Sequence, residues 1–286
     1  MSEELLGPRL LNALRQIPGS PEREHIISLL TEISQPFLLD EEVVRQAAWT
    51  VKEASETIEQ TLPLLTLSQP VIWLEYPHLP RQLAFGVDES ADEPGLPKVL
   101  RVGCLIAVDP EDPTHISIFV AWENSDGGIY HSYAMLHWRL DDFIKLAEMS
   151  RKEKLTTSTA ERLTELAILS IPPGFRDEIM VWEGREHANE DGDSERVLKT
   201  KKDALGEHLF LLSALMLMAS DATEATEQVV ADVPETGLVD TYIPDTMKMV
   251  CTVSLSRKKA PLFERFRKPG FYPGLGLEPV LRWKSP

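Results

Sequence analysis

The chain has 286 residues, 43% of them apolar, and a formal net charge of −17; that is enough to bury a sizeable core without disulfide or metal staples. Cys104 and Cys251 are the only cysteines, with no CxxC or Cys/His ligand spacing, which argues against a disulfide scaffold or zinc site and for a reduced, cytoplasmic protein with core thiols. No leader pattern opens the chain, and its most apolar run, Leu209–Ala219, falls well short of the about 20 residues that span a bilayer, so neither export nor membrane insertion is expected.

The first third reads as helical. Ser20-Pro21 pairs an N-cap with a first-turn proline before Ile26, Leu30 and Ile33. Asp40 caps a longer helix in which Val44, Ala47, Val51, Ala54, Ile58 and Leu62 recur on one face until Pro63. From Val71 the period changes to two, predicting strands over 71–76, 81–87, 99–109, 115–123 and 129–139. Ser125-Asp126-Gly127-Gly128 is a hairpin signal, and the short connections favour an antiparallel meander. Residues 88–97 read as an acidic loop.

Asp141 opens another predicted helix, and Ser158-Thr159-Ala160-Glu161 has the capping-box pattern ahead of a helix running to Ile171. Residues 178–184 read as a strand, 185–195 as a solvated loop and 202–219 as a buried helix. Alternating Met247, Met249, Cys251, Val253 and Leu255 predict a last strand that leads straight into the C-terminal segment. The expected fold is α+β: a central antiparallel sheet of six or seven strands, with N-terminal helices and a buried helix packed on it. The predicted organisation is a helical region over 1–66 and an α+β domain over 67–286 that ends in a basic aromatic segment, 256–286.

Phosphate-loop, GxSxG and HExxH signatures are missing, as is the third glycine of a dinucleotide turn at Gly274-Leu275-Gly276. Neither cofactor nor metal is expected: Glu75, Asp109 and Glu123 end neighbouring strands as carboxylates commonly do, and Asn189, Asp191, Asp193 and Glu195 miss the calcium-loop pattern. The richest polar hairpin is 115–139. There His115, Ser117, Phe119, Ala121 and Glu123 share one face, and His131, Tyr133, Met135 and His137 share another. Should the two faces coincide, Glu123 lies near His131, and Glu123, His131 and His137 become the candidate catalytic residues of a hydrolase or nuclease. The alternative is the solvated face of a one-sided sheet.

Charge is polarised. Residues 247–286 carry nine Lys/Arg against Glu264 and Glu278, a net +7, which leaves −24 on the rest. Arg257, Lys258, Lys259, Phe263, Arg265, Phe266, Arg267 and Lys268 interleave cations with aromatic rings, a pattern able to neutralise phosphates and stack on bases, to dock on a protein, or to fold back on the acidic body. The acidic body favours cationic partners and repels nucleic acid at long range.

Three segments, Trp73-Leu74-Glu75-Tyr76 after a proline-containing lead-in, the apolar helix 205–219 and Lys259-Ala260-Pro261-Leu262-Phe263-Glu264, resemble those of uncharacterised proteins encoded by phages and prophages of alphaproteobacteria. In that group a tryptophan-acidic strand opens the central sheet and a basic K-P-P-L-[FY]-[ED]-like segment closes the chain. Here Ala260 replaces the first proline and the usual glycine before the lysine is missing. The resemblance spans about residues 70–265 and implies a viral or mobile-element origin without an activity.

The leading expectation is therefore a non-enzymatic, phage-borne interaction protein of the host cytoplasm. Its acidic body would act as a nucleic-acid mimic toward a protein partner, or its C-terminal segment would hold nucleic acid. The hydrolase or nuclease is the alternative, and a virion component a third reading.

Overall fold

Helices α1 (Leu6–Arg15) and α2 (Pro21–Glu32) open the chain, and strand β1 (Pro36–Leu39) leads into α3 (Glu41–Glu53) and α4 (Ser55–Thr61). Next come β2 (Val71–Pro77), α5 (His78–Phe85), β3 (Val99–Val108), β4 (His115–Asn124), β5 (Ile129–His131) and β6 (Met135–Arg139). The second half contains α6 (Leu140–Lys152), α7 (Thr159–Glu165), β7 (Ile168–Ser170), α8 (Pro173–Trp182), α9 (Glu195–Met218), β8 (Thr223–Val229) and β9 (Met249–Leu255). This computed structural model describes residues 5–17, 19–33, 35–61, 67, 69–86, 97–152, 157–182, 195–219, 223–229 and 249–256. The predicted basic segment lies outside them apart from Ser256, as do most of the acidic loop 88–97 and of the loop 185–195.

Local chemistry explains the helix starts. The Ser20 hydroxyl accepts from the Arg23 amide, and an Asp40 carboxylate oxygen accepts from the Val43 amide at 2.8 Å. At α7 the capping box is complete: the Ser158 hydroxyl accepts from the Glu161 amide, and Glu161 accepts from the Ser158 amide.

Several predicted elements change type. Residues 81–87, read as a strand, belong mostly to α5: Pro77 and Pro80 suit a helix's N-terminal end and Gly86, at φ 77°, ends it in the left-handed region. Residues 178–184, also read as a strand, are helical as far as Trp182, in a helix that Pro173 begins. The helix expected to reach Ile171 stops at Glu165 and gives way to β7. The long helix after Asp40 breaks at Ala54 (φ −147°, ψ 37°) into α3 and α4. The strand predicted over 129–139 is interrupted at Ser132, whose hydroxyl donates to the Ala134 carbonyl and accepts from the Ala134 amide.

One mixed sheet runs β7-β6-β4-β3-β2-β1-β9-β8, with β5 also paired to β4. The α+β class holds, with more strands than expected and a mixed rather than purely antiparallel centre: β1 is parallel to both β2 and β9. Residues 1–66 and 67–286 therefore share one sheet, with β1 seated between strands of the second region.

Helices cover both faces. Trp73, Leu105, Phe119 and Ala121 pack beneath Leu6, Leu10 and Leu11 of α1, Ile26 and Leu30 of α2 and Phe175 of α8. On the opposite face Leu74, Tyr76, Cys104, Ile118 and Trp138 pack against α3 and α9. Strand β2 is buried from Val71 to Tyr76, as an interior strand covered on both sides must be. Its Glu75 is the exception to the apolar run. Both cysteines are buried free thiols, and no helix among the described residues is long and apolar enough to cross a membrane.

Candidate functional site

Polar clusters set into this frame include two that are sealed and a third that is half-exposed. In the first, Glu75 is 0% exposed. Its Oε2 accepts from the Leu6 amide and the Trp73 indole at 2.9 Å and from the Gly7 amide at 3.3 Å; Oε1 takes Arg101 Nη1 at 3.1 Å. A strand carboxylate thus caps the N-terminus of α1, where Leu5 offers no side-chain cap. Arg101 also binds Glu123, and Glu123 in turn binds Arg9. Burial raises the pKa of Glu75 against the pull of Arg101 and the Trp73 indole. At Glu123 burial acts in the same sense, but Arg101 and Arg9 outweigh it and hold the carboxyl below its ordinary range.

This arrangement removes Glu123 from the expected catalytic set. In the β4–β5 ladder Glu123 lies opposite Ile129 and His131 opposite Ala121, so the two share a face. Glu123 nevertheless turns to two guanidinium groups, while His131 Nδ1 lies 3.2 Å from the Ser132 carbonyl and its ring packs against Phe119, Tyr133 and Phe175. The solvated-face alternative is also corrected for this part of the sheet, since α1, α2 and α8 cover it.

On the other face the Tyr76 hydroxyl donates to Glu207 at 2.5 Å, and Arg81 donates to Glu207 at 3.0 Å and to the Gly206 carbonyl at 2.6 Å. Burial, with Glu207 nearby, pushes the Cys104 thiol well up, and burial raises Cys251 to about 11; neither sulfur is a nucleophile near neutral pH. Close by, the Trp138 indole donates to His208 Nδ1 at 2.9 Å, while His208 Nε2 donates to the Leu163 carbonyl at 2.8 Å. Both ring nitrogens are thereby satisfied by the neutral tautomer.

Burial lowers His208 to about 4, whereas an unfolded histidine titrates near 6.5. The unfolded chain thus binds the extra proton between those values, so the stability from neutral His208 is complete above pH about 6.5 and disappears as pH falls toward 4. Urea midpoints of the wild type are expected to drop across this window. The drop should be smaller in His208→Gln; equal drops would show that His208 contributes nothing to it.

The third cluster is half-exposed and sits on the α1/α2 face of the sheet, at the β4-β6-β7 end. His137 lies opposite Ser117, and its Nδ1 is 3.0 Å from Ser117 Oγ. Its Nε2 is 2.6 Å from the Oγ of Ser170, at the end of edge strand β7. The His115 ring stands 5.3 Å from that of His137, and His115 Nδ1 lies 3.5 Å from Asp109. Burial, then the neighbouring His115, lowers the pKa of His137, so its ring is an uncharged base at neutral pH.

Of the expected catalytic residues, His137 alone meets a hydroxyl at each ring nitrogen. Ser170 belongs to β7, where the apolar spacing predicts a helix; Ser117 is legible on the His115 face, but its pairing with His137 is not. The expected binding residues Arg257, Lys258, Lys259, Phe263, Arg265, Phe266, Arg267 and Lys268 lie outside the described residues. Among the described residues no group of three or more His, Cys, Asp or Glu could hold a metal ion; Glu75 and Glu123 are instead bridged by Arg101.

Comparison with protein-family models, with curated proteins and with solved structures found no match.

Proposed function

We propose that this protein works by binding a cationic macromolecule, a host or viral protein that presents a basic nucleic-acid channel, through its acidic body, with the basic C-terminal segment as a second contact. The observation that carries this reading is where the cations go. Arg9, Arg23, Arg81, Arg101 and Arg162 each pair with a glutamate that is buried or half-buried: Glu123, Glu178, Glu207, Glu75 and Glu59 respectively. Those guanidinium groups are neutralised inside the fold and offset little of the outer carboxylate charge.

Anionic residues gather at one corner, where Asp109, Glu111 and Asp112 in the β3–β4 turn adjoin Asp141 and Asp142 at the start of α6, with Arg139 and Lys145 among them. Such a surface speeds association with basic partners and loses strength with salt. A phage-borne origin belongs to the same proposal and rests on the short motifs at 73–76 and 259–264.

The test is affinity capture from a bacterial host followed by competition with single-stranded DNA. Binding should fall with salt and with DNA, and should survive replacement of Arg257, Lys258, Lys259, Arg265, Arg267 and Lys268 by Gln. If that variant loses binding while direct, salt-sensitive nucleic-acid binding by the wild type disappears with it, the C-terminal segment is the binding element and the acidic-body reading fails.

A further inference from the structure

We propose that Ser170, His137 and Ser117 form an acyl-transfer site, with Ser170 as nucleophile, His137 as its general base and Ser117 as the residue that positions the imidazole. The inference is independent of the binding reading above. It rests on one imidazole bridging two hydroxyls across three strands: β4 supplies Ser117, β6 His137 and β7 Ser170.

The assignment of roles follows from place. Ser117 sits on an interior strand, between β3 and β6, whereas Ser170 ends an edge strand where a substrate can approach. The short Nε2 to Oγ contact of 2.6 Å is the reach a base needs to take the Ser170 proton. With Nδ1–H donated to Ser117 Oγ, Nε2 keeps its lone pair toward Ser170, which is the productive tautomer. Ile168, 48% exposed and two residues before Ser170 on the same face of β7, gives the acyl or alkyl part of a substrate an apolar surface. His115, held near Asp109, stands beside His137 as a second imidazole within reach of the same region.

The substrate class is a small ester with an apolar acyl group. Ser170 Oγ attacks the ester carbonyl carbon while its proton passes to His137 Nε2. The carbon–alkoxide bond then breaks, and the leaving alkoxide takes that proton from the imidazolium, leaving an acyl-serine. Water adds to the acyl carbon, again losing a proton to Nε2, and Ser170 departs with that proton as the carboxylic acid forms. Neither an oxidant nor a metal is required.

The experiment uses the full chain with p-nitrophenyl acetate, reading nitrophenolate release and the intact and peptide masses. The expected result is one acetyl group on Ser170, with acetylation reduced about 100-fold or more in Ser170→Ala and in His137→Gln. Ser117→Ala should slow acetylation less and move its pH profile, because the imidazole loses its positioning partner; a purely structural serine would leave that profile in place. Circular dichroism checks that each variant is folded. Should a variant fail to fold, Ser170→Cys tests the same geometry, since His137 would then accelerate alkylation of that thiol relative to Ser170→Cys with His137→Gln. Acetylation confined to lysines, or equal in wild type and a folded Ser170→Ala, overturns the proposal. So does a wild type that neither carries the acetyl group nor releases nitrophenolate faster than a folded Ser170→Ala. None of these outcomes touches the affinity-capture result, so the two readings fail separately.

Discussion

Replacing Glu75 by Ala is expected to lower the free energy of unfolding by about 3–5 kcal/mol, a large part of the stability of an ordinary domain. The carboxylate is buried, and its removal strands four donors at once: the Leu6 and Gly7 amides, the Trp73 indole and one arm of Arg101. Most of the loss comes from leaving the Arg101 charge poorly compensated; the mutual attraction of the pair is the lesser part. Adding Arg101→Leu to Glu75→Ala should therefore recover part of the deficit, giving a double-mutant cycle that is far from additive. Urea denaturation of the two single variants and the double variant measures this. A deficit below about 1 kcal/mol in Glu75→Ala would mean that the network is not retained in solution.

The second large effect is at Gly103, where an added Cβ would lie 2.6 Å from Trp73 Cη2, closer still to Cζ2, and 3.1 Å from Leu6 Cδ2. The indole cannot swing aside freely, because its Nε1 is bonded to Glu75. Gly103→Ala thus forces either a shift of α1 off the sheet or the loss of that buried hydrogen bond, at about 2–5 kcal/mol for overpacking and an unmet donor together. Combining it with Trp73→Phe, which removes the ring atoms in conflict, should leave the pair less destabilised than the two single changes summed. Simple additivity, or a Gly103→Ala variant as stable as wild type, would show that the strand and helix are not in this close contact.

Both predictions concern residues that the sequence marks only obliquely. Trp73 and Glu75 stood out as a motif on a predicted strand, and the caps at Ser20, Asp40 and Ser158 were legible because side chain and amide lie three residues apart. Glu75 reaching the start of α1, nearly 70 positions earlier, has no such local signature. The strand β1 was missed for a related reason: four residues between helices, Pro-Phe-Leu-Leu, carry too short a pattern, and only pairing with β2 and β9 makes them a strand.

The hairpin shows how register decides a site. The turn at Ser125–Gly128 was readable, and extending its pairing without interruption would set Ser117 opposite Met135. The irregular stretch at Ser132–Ala134 absorbs two extra residues, so that Ser117 meets His137 instead. A two-residue offset keeps each side chain on its face, which is why the candidate face was legible and its partners were not. Ser170 reaches His137 only because the chain turns back as β7 after the capping-box helix, a change that apolar spacing alone does not separate from a longer helix.

The place of β1 bears on how the protein is made. Its two neighbours are separated by most of the chain: β2 begins at Val71, but β9 is complete only at Leu255. During synthesis one edge of β1 must wait, with its amides and carbonyls open, until the chain has been translated through Leu255, more than 200 residues later. Such distant pairing slows the search for the native arrangement and extends the interval in which other chains can add to that edge. Nascent chains truncated before Met249 should consequently be sensitive to proteolysis and dependent on chaperones, and release of the β9 segment from the ribosome should mark the onset of protection.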